Sequence, residues 1–284
     1  LIAYHRFARQ PLPPPSARSM LLTVIGEFLF DSDEGAWTAA LMKVLGGMGI
    51  EEHAVRQLLS RAASAKWIER ERVGRGVRWH LAEHGRALAA DGIKRSSAYL
   101  EGPSPWDNEW LVLTVTVSQR KSTVRNRLNG GLSWLGMGNV NPGVWVTPHV
   151  DRQRELADLV STLGLSDSAL VLTGSLGLGG LATDEIVARA WDFSDLETSY
   201  RTLLTQDGGA DPSDDDEVLL AYIELVSLQQ RFMRLDPQLP KELLPEWVGR
   251  EGAALFRRRR EQWSATAHSR WTSLVAESAP RSTT

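Results

Sequence analysis

Four side chains in the first quarter of the 284-residue chain carry hydrogen-bonding groups at a spacing that gathers them on one surface: Arg56, Gln57, Ser60 and Arg61. In a helix, Val55, Leu58, Leu59 and Ala62 form a single apolar stripe. Arg56 and Ser60 then stand one turn apart on the opposite side, with Gln57 and Arg61 as a second row beside them. A guanidinium matches the acceptor edge of guanine bidentately, and a glutamine amide does the same for adenine, so this face has the chemistry of reading base edges. Three more arginines, Arg72, Arg75 and Arg78, sit on or beside the turn Gly74-Arg75-Gly76, placed to grip phosphates or reach into a minor groove. From 56 to 86 eight Lys/Arg oppose three acids, a local balance of +5 in a chain whose formal net charge is −3.

Those side chains need a scaffold, and the apolar periodicity supplies one. Ser16 is a cap for a helix to about Phe30, with Leu21, Ile25, Phe28 and Leu29 on its inner face. Asp31 to Gly35 reads as a loop, and Trp37, Ala40, Leu41, Val44 and Leu45 mark one side of a second helix. A third runs from about Glu51 to Ala65. Two strand-like runs follow, Trp67 to Val73 and Val77 to Leu81, joined by the glycine turn. Three helices and a hairpin form the winged helix-turn-helix arrangement, in which the third helix enters the major groove. Residues 1–15, ending in Pro13-Pro14-Pro15, read as an extended arm, and the winged-helix domain takes 16–100.

Glu101-Gly102-Pro103-Ser104-Pro105 marks a boundary. Beyond it Leu111 to Val117 alternates with period 2, and the order of elements over 106–175 is β-α-β-β-α-β, a ferredoxin-like unit. After the joint Gly174 to Gly180, residues 181–284 read as a helical domain, with an acidic loop at 206–216 and long helices over Val218–Leu235 and Glu251–Glu277. The fold class is therefore α+β.

Other chemistries find less support. Without cysteine there is no disulfide, thiolate metal site or cysteine nucleophile. The six histidines show no close metal spacing except His80 and His84, which straddle a strand end and a helix start. A nuclease metal would want a carboxylate at the end of the first central strand, yet that strand runs into Ser118-Gln119-Arg120, and Asp107 and Glu109 lie at its start. Gly174–Gly180 matches no phosphate-cradling pattern. Arg257 to Arg260 point four ways from a helix and read as a mostly solvated face. No apolar run approaches a bilayer span and no secretory signal is visible, so the expectation is a cytoplasmic non-enzyme that needs no cofactor or metal.

The order of these motifs resembles one family. Leu21-Leu22-Thr23-Val24-Ile25-Gly26, Val55-Arg56 with Leu59-Ser60-Arg61, and Gly74-Arg75 are similar to the N-terminal domain of the phenylacetate-degradation repressors, the PaaX-like family. The likeness continues through Trp134-Leu135-Gly136-Met137-Gly138 and Pro142-Gly143-Val144-Trp145-Val146. It returns at Arg231-Phe232, Asp236-Pro237-Gln238-Leu239-Pro240, Leu243-Leu244-Pro245 and Trp247. The resemblance implies a central domain like Cas2 and a dimeric repressor, released from double-stranded operator DNA by an aryl-acyl-CoA such as phenylacetyl-CoA. Within the family-like helical segment, Tyr222, Arg231 and Trp247 are the expected effector residues. The homodimer is expected to be held by the domains after Pro105. The same architecture with another ligand or none is the runner-up, and a metal-dependent nuclease of Cas2 type the third reading.

Overall fold

The computed structural model describes residue 12 and residues 14–118, 122–208 and 211–280. Of the expected arm over 1–15 only Leu12, Pro14 and Pro15 are among them, and Gln119-Arg120 at the strand exit lies outside, as does part of the acidic loop. The chain divides into two compact units. One comprises 1–100, 201–231 and 251–284; the other comprises 101–200 and 232–250.

The first unit opens with α1 (Ala17–Leu29), whose start is fixed as Ser16 accepts a hydrogen bond from the Ser19 amide at 3.1 Å. An N-cap of this kind satisfies one of the helix's orphan amides. Its inner face is Met20, Leu21, Val24, Ile25, Phe28 and Leu29, all buried. A two-residue strand follows, β1 (Ala36–Trp37), and then α2 (Thr38–Gly47) and α3 (Glu52–Ser64). The hairpin consists of β2 (Ile68–Val73) and β3 (Gly76–Leu81), and the sheet order is β1-β3-β2. Trp37 therefore belongs to a strand rather than to the second helix. It pairs with Arg78 while Ala36 pairs with Trp79. Gly35 makes the approach possible: a Cβ there would lie 2.5 Å from the Trp79 carbonyl oxygen, and its φ of +68° suits glycine.

The helix α4 (Glu83–Glu101) closes on the hairpin root, with Gly85 against the Trp67 carbonyl. The rest of the unit comes from much later in the sequence: the end of α8 (Ser194–Gln206), most of α9 (Asp215–Leu235) and most of α10 (Gly249–Glu277). Phe28 of α1 stacks on Trp271 with ring centres 4.8 Å apart. Thr23 hydrogen-bonds Gln230 at 3.0 Å, and Gln229 donates to Ser96 at 2.7 Å. The helical region expected as a body of its own over 181–284 is thus shared between the units. Its long helices carry apolar faces, and here they complete the core around α1.

In the second unit β4 (Trp110–Val115), α5 (Ser122–Trp134), β5 (Gly138–Asn141), β6 (Val144–Thr147), α6 (Gln153–Thr162) and β7 (Ala169–Gly174) follow the β-α-β-β-α-β order. The sheet runs β5-β6-β4-β7 with every pair antiparallel. Alternation along β4 sends Leu111, Leu113 and Val115 to a core with Leu128 and Leu132 of α5 and Leu156 and Val160 of α6. Trp110 and Val112 face the other way, packing with α7 (Thr183–Ala190) and with Leu239 and Leu243 of the Pro- and Leu-rich stretch. Asp236 stands inside this unit, fully buried, accepting from Tyr200 Oη at 2.7 Å and Trp247 Nε1 at 3.0 Å. Burial raises its carboxyl above the usual range while those hydrogen bonds oppose the shift.

Candidate nucleic-acid interface

The third helix separates its faces as the residue types demand. Val55, Leu58, Leu59 and Ala62 are buried; Arg56, Gln57, Ser60 and Arg61 are exposed. Arg56 is the tethered member, its Nη2 donating to Glu52 one turn earlier at 2.5 Å. An exposed pair of this spacing contributes only about 0.3–0.5 kcal/mol, so it orients the guanidinium without locking it. The side chains of Gln57 and Arg61 make no hydrogen bond or ion pair among the described residues and are available to a ligand.

The helix ends in a Schellman arrangement: the Trp67 amide reaches the Ala62 carbonyl and the Lys66 amide that of Ala63, with Lys66 at φ +57°. That stop turns the chain into β2, whose residues after Ile68 are all exposed. The hairpin register runs from Ile68 opposite Leu81 to Val73 opposite Gly76, leaving Gly74-Arg75 as a two-residue loop with Gly74 at φ +58°. Arg72 and Arg75 are exposed and without partners among the described residues. Arg78 is different. Its guanidinium lies 4.4 Å from the Trp37 ring centre and its Nε is buried without a hydrogen-bond partner, so it braces β1 against β3.

Between α3 and the hairpin lies an open groove of about 830 Å³ lined by Arg56 and Ser60 on one wall and by Glu69 and Arg70 on the other, with Lys66 between. Lys66 and Arg70 were in the regional charge but not among the expected contact residues. The helix C-cap and the strand direction bring them to the groove, and neither is visible in residue type alone.

Of the three residues expected at an effector site, Tyr222 and Arg231 belong to the first unit and Trp247 to the second. Tyr222 is buried, its hydroxyl donating to Glu27 at 2.8 Å, and burial raises its pKa. Trp247 belongs to the second unit, bonded to Asp236 and packed on Phe193 and Tyr200. Arg231 alone faces open space: it lines a cavity of the first unit, with Nη2 buried and unpartnered.

In the run Arg257–Arg260 the first two arginines are exposed, as a solvated face requires, while Arg259 and Arg260 are partly buried, and all four reach acceptors. Arg257 donates to the Leu100 carbonyl, Arg258 and Arg259 to Asp207, and Arg260 to Glu27 at 2.9 Å. Four directions become four internal attachments. The described residues hold no group of three metal-ligating side chains, and the Asp107 carboxylate accepts from the Glu109 amide in the turn before β4.

A helical head carrying an exposed polar helix and a basic hairpin, followed by an antiparallel β-α-β-β-α-β sheet with further helices, defines a two-unit α+β protein. Three family models match it in order: PaaX-like protein over 16–85, the PaaX protein central Cas2-like domain over 103–187, and the PaaX-like protein C-terminal domain over 187–273. The chain belongs to the PaaX-like family. It is 26% identical over 250 residues to the transcriptional repressor PaaX of Escherichia coli (strain K12), covering 83% of this chain and 77% of that protein. An uncharacterized protein of Mycobacterium tuberculosis shares the fold, with a TM-score of 0.59 at 22% identity over 91% of this chain and 98% of that one.

Proposed function

We propose that the chain is a sequence-specific, DNA-binding transcriptional repressor. Its head is a winged helix-turn-helix that sets α3 in the major groove and β2–β3 along the phosphates. The observation that carries this reading is that Arg56 and Ser60 of α3 and Arg70 of β2 line one open groove, while Gln57 and Arg61 of the same helix and Arg72 and Arg75 of the same hairpin are exposed, with no side-chain partner among the described residues. Similarity to a protein named as a transcriptional repressor points the same way. Arg56, Gln57, Ser60 and Arg61 read base edges, and Arg72 and Arg75 hold the backbone. Arg78 supports the hairpin from within.

The repressor acts as a homodimer through the residues after Pro105. In support, β7 ends its sheet with one edge unpaired and exposes Leu170 and Leu172 by 54% and 50%. An exposed apolar edge strand is a surface that proteins ordinarily cover. A two-fold dimer would match an inverted-repeat operator. Family resemblance favours an aryl-acyl-CoA such as phenylacetyl-CoA as the releasing effector. The protein works in the cytoplasm and is not an enzyme; among the described residues no helix is long and apolar enough to cross a membrane. Selection of bound sequences from random DNA by the full chain, followed by titration of the selected site with salt, tests the reading. It predicts a recurrent inverted repeat bound in preference to random DNA, and binding without sequence preference would contradict it. Sedimentation of the Leu170→Glu/Leu172→Glu variant as a monomer would locate the dimer contact.

A further inference from the structure

A cavity of about 680 Å³ lies wholly within the first unit, below the turn that joins α2 to α3. Its volume is in the range of small-molecule sites. One wall is α9, where Glu224, Ser227, Leu228 and Arg231 recur at three- and four-residue steps and therefore share a face. A face of that helix so rich in polar groups and turned to the protein interior is informative, since buried polar atoms ordinarily have partners. Two here do not. Ser227 is 1% exposed with Oγ unbonded, and Arg231 Nη2 is buried and unbonded. Of the two acids lining the space, Glu224 is engaged within the chain, and Glu51, with 79% of its side chain exposed, is in water 3.2 Å from His53. What remains unsatisfied is a guanidinium N–H and a hydroxyl, which together call for an acceptor, best an anion.

Apart from His53 the remaining lining is apolar: Leu12, Pro14 and Pro15 ahead of α1, Met20 of α1, and Met48 and Ile50 of the turn. Methionines adapt to irregular guests. A single guanidinium and two carboxylates on the walls make the space poor for a chain of phosphates and suited to one negative charge. We propose that this cavity binds a small monocarboxylate with an apolar body, its carboxylate taken by Arg231 and Ser227 and its body seated against Met20, Met48 and Ile50. The occupant would touch Met48–Ile50 and the first turn of α3 at His53 and Ala54, so it would reach the element that holds the base-reading face. That occupancy changes DNA affinity rests on the repressor reading and requires different affinities for the free and DNA-bound arrangements. Binding itself does not.

The test is calorimetric titration of the full chain with 4-phenylbutyrate and octanoate, with 4-phenylbutyramide as the uncharged counterpart. Both carboxylates are expected to bind at millimolar concentration or below, and the amide about tenfold more weakly or worse. Arg231→Met should remove the preference for carboxylate over amide, and Ser227→Ala, which removes only the hydroxyl, should weaken carboxylate binding without unfolding the protein. Failure of both carboxylates to bind, or unchanged binding by Arg231→Met and Ser227→Ala, overturns the site. DNA binding by the ligand-free protein is read separately, so loss of one proposal leaves the other measurable.

Discussion

Arginines cluster twice in this chain, and the two clusters have opposite fates. Those on α3 and the hairpin, Arg78 apart, stand in water, and the side chains of Arg61, Arg72 and Arg75 have no partner among the described residues. Those on α10, although four in a row, are each drawn to an acceptor elsewhere in the first unit, and Arg259 keeps only 12% of its side chain exposed. The difference teaches that density of positive charge does not mark a polyanion site. What marks it is positive charge left without an internal partner on a face whose apolar half is already used.

The largest effects should come from the inward set. Replacing Arg260 by Met strips Glu27, only 13% exposed, of its counter-charge. Breaking a buried pair on one side costs about 3–5 kcal/mol, and the partial exposure here lowers the expectation to about 2–3 kcal/mol. Chemical denaturation should show this loss, while the affinity of the folded fraction for DNA stays as it was. The parallel change Arg61→Ala should leave stability within about 0.5 kcal/mol. Equal destabilisation by both would erase the contrast.

A buried base of the second unit extends the comparison to pH. His149 donates its Nε2 proton to the Pro237 carbonyl at 2.8 Å, and burial, with Arg152 nearby, lowers its pKa from 6.5 to about 4. The folded ring is neutral where the unfolded one is protonated, so the unfolded state binds more protons between those values. Stability contributed by this group is full above pH 6.5 and is lost as the pH falls toward 4. The loss is at most about 3 kcal/mol. A urea midpoint followed from pH 7 to 4 should decline in wild type and less in His149→Gln; identical slopes would remove His149 as the cause.

Smaller, selective effects belong to the outward set. Arg61→Ala should cost about 1–3 kcal/mol on a selected operator and far less on random DNA. Glu52→Gln releases Arg56 from its tether and should tighten binding modestly at low salt, since a nearby negative charge is removed as well. Changing Arg75 to Ala should weaken binding on all sequences alike and reduce the salt slope by about one phosphate's worth. An Arg75 variant with an unchanged slope would take the loop off the phosphate contacts.

Much of this was readable from residue order because it is local. Ser16 caps α1 as its type suggests, the stripe Val55-Leu58-Leu59-Ala62 orients α3 with no outside help, and the alternation in β4 follows from a sheet packed on both faces. What escaped depends on partners distant in sequence. A two-residue strand has no period to detect, so Trp37 looked helical until β3 claimed it. Arg78 looks like its neighbours Arg72 and Arg75, and nothing in its type announces the contact with the ring of Trp37. Nothing in the α10 run announces that Asp207 and Glu27 would meet it. The same holds for Tyr222 and Trp247, aromatic residues of the right type whose polar atoms are already bound to Glu27 and Asp236.

The central claim is that the exposed face of α3 selects a DNA sequence, and one titration reaches it most directly. The full chain and its Arg56→Ala/Arg61→Ala variant would be compared by fluorescence anisotropy on a selected operator and on a scrambled duplex, at fixed salt. The account predicts that wild type favours the operator strongly, and that the variant binds the scrambled duplex only slightly more weakly than wild type while losing most of the preference. A wild type that binds the two duplexes equally, or a variant that still discriminates as well as wild type, would contradict it.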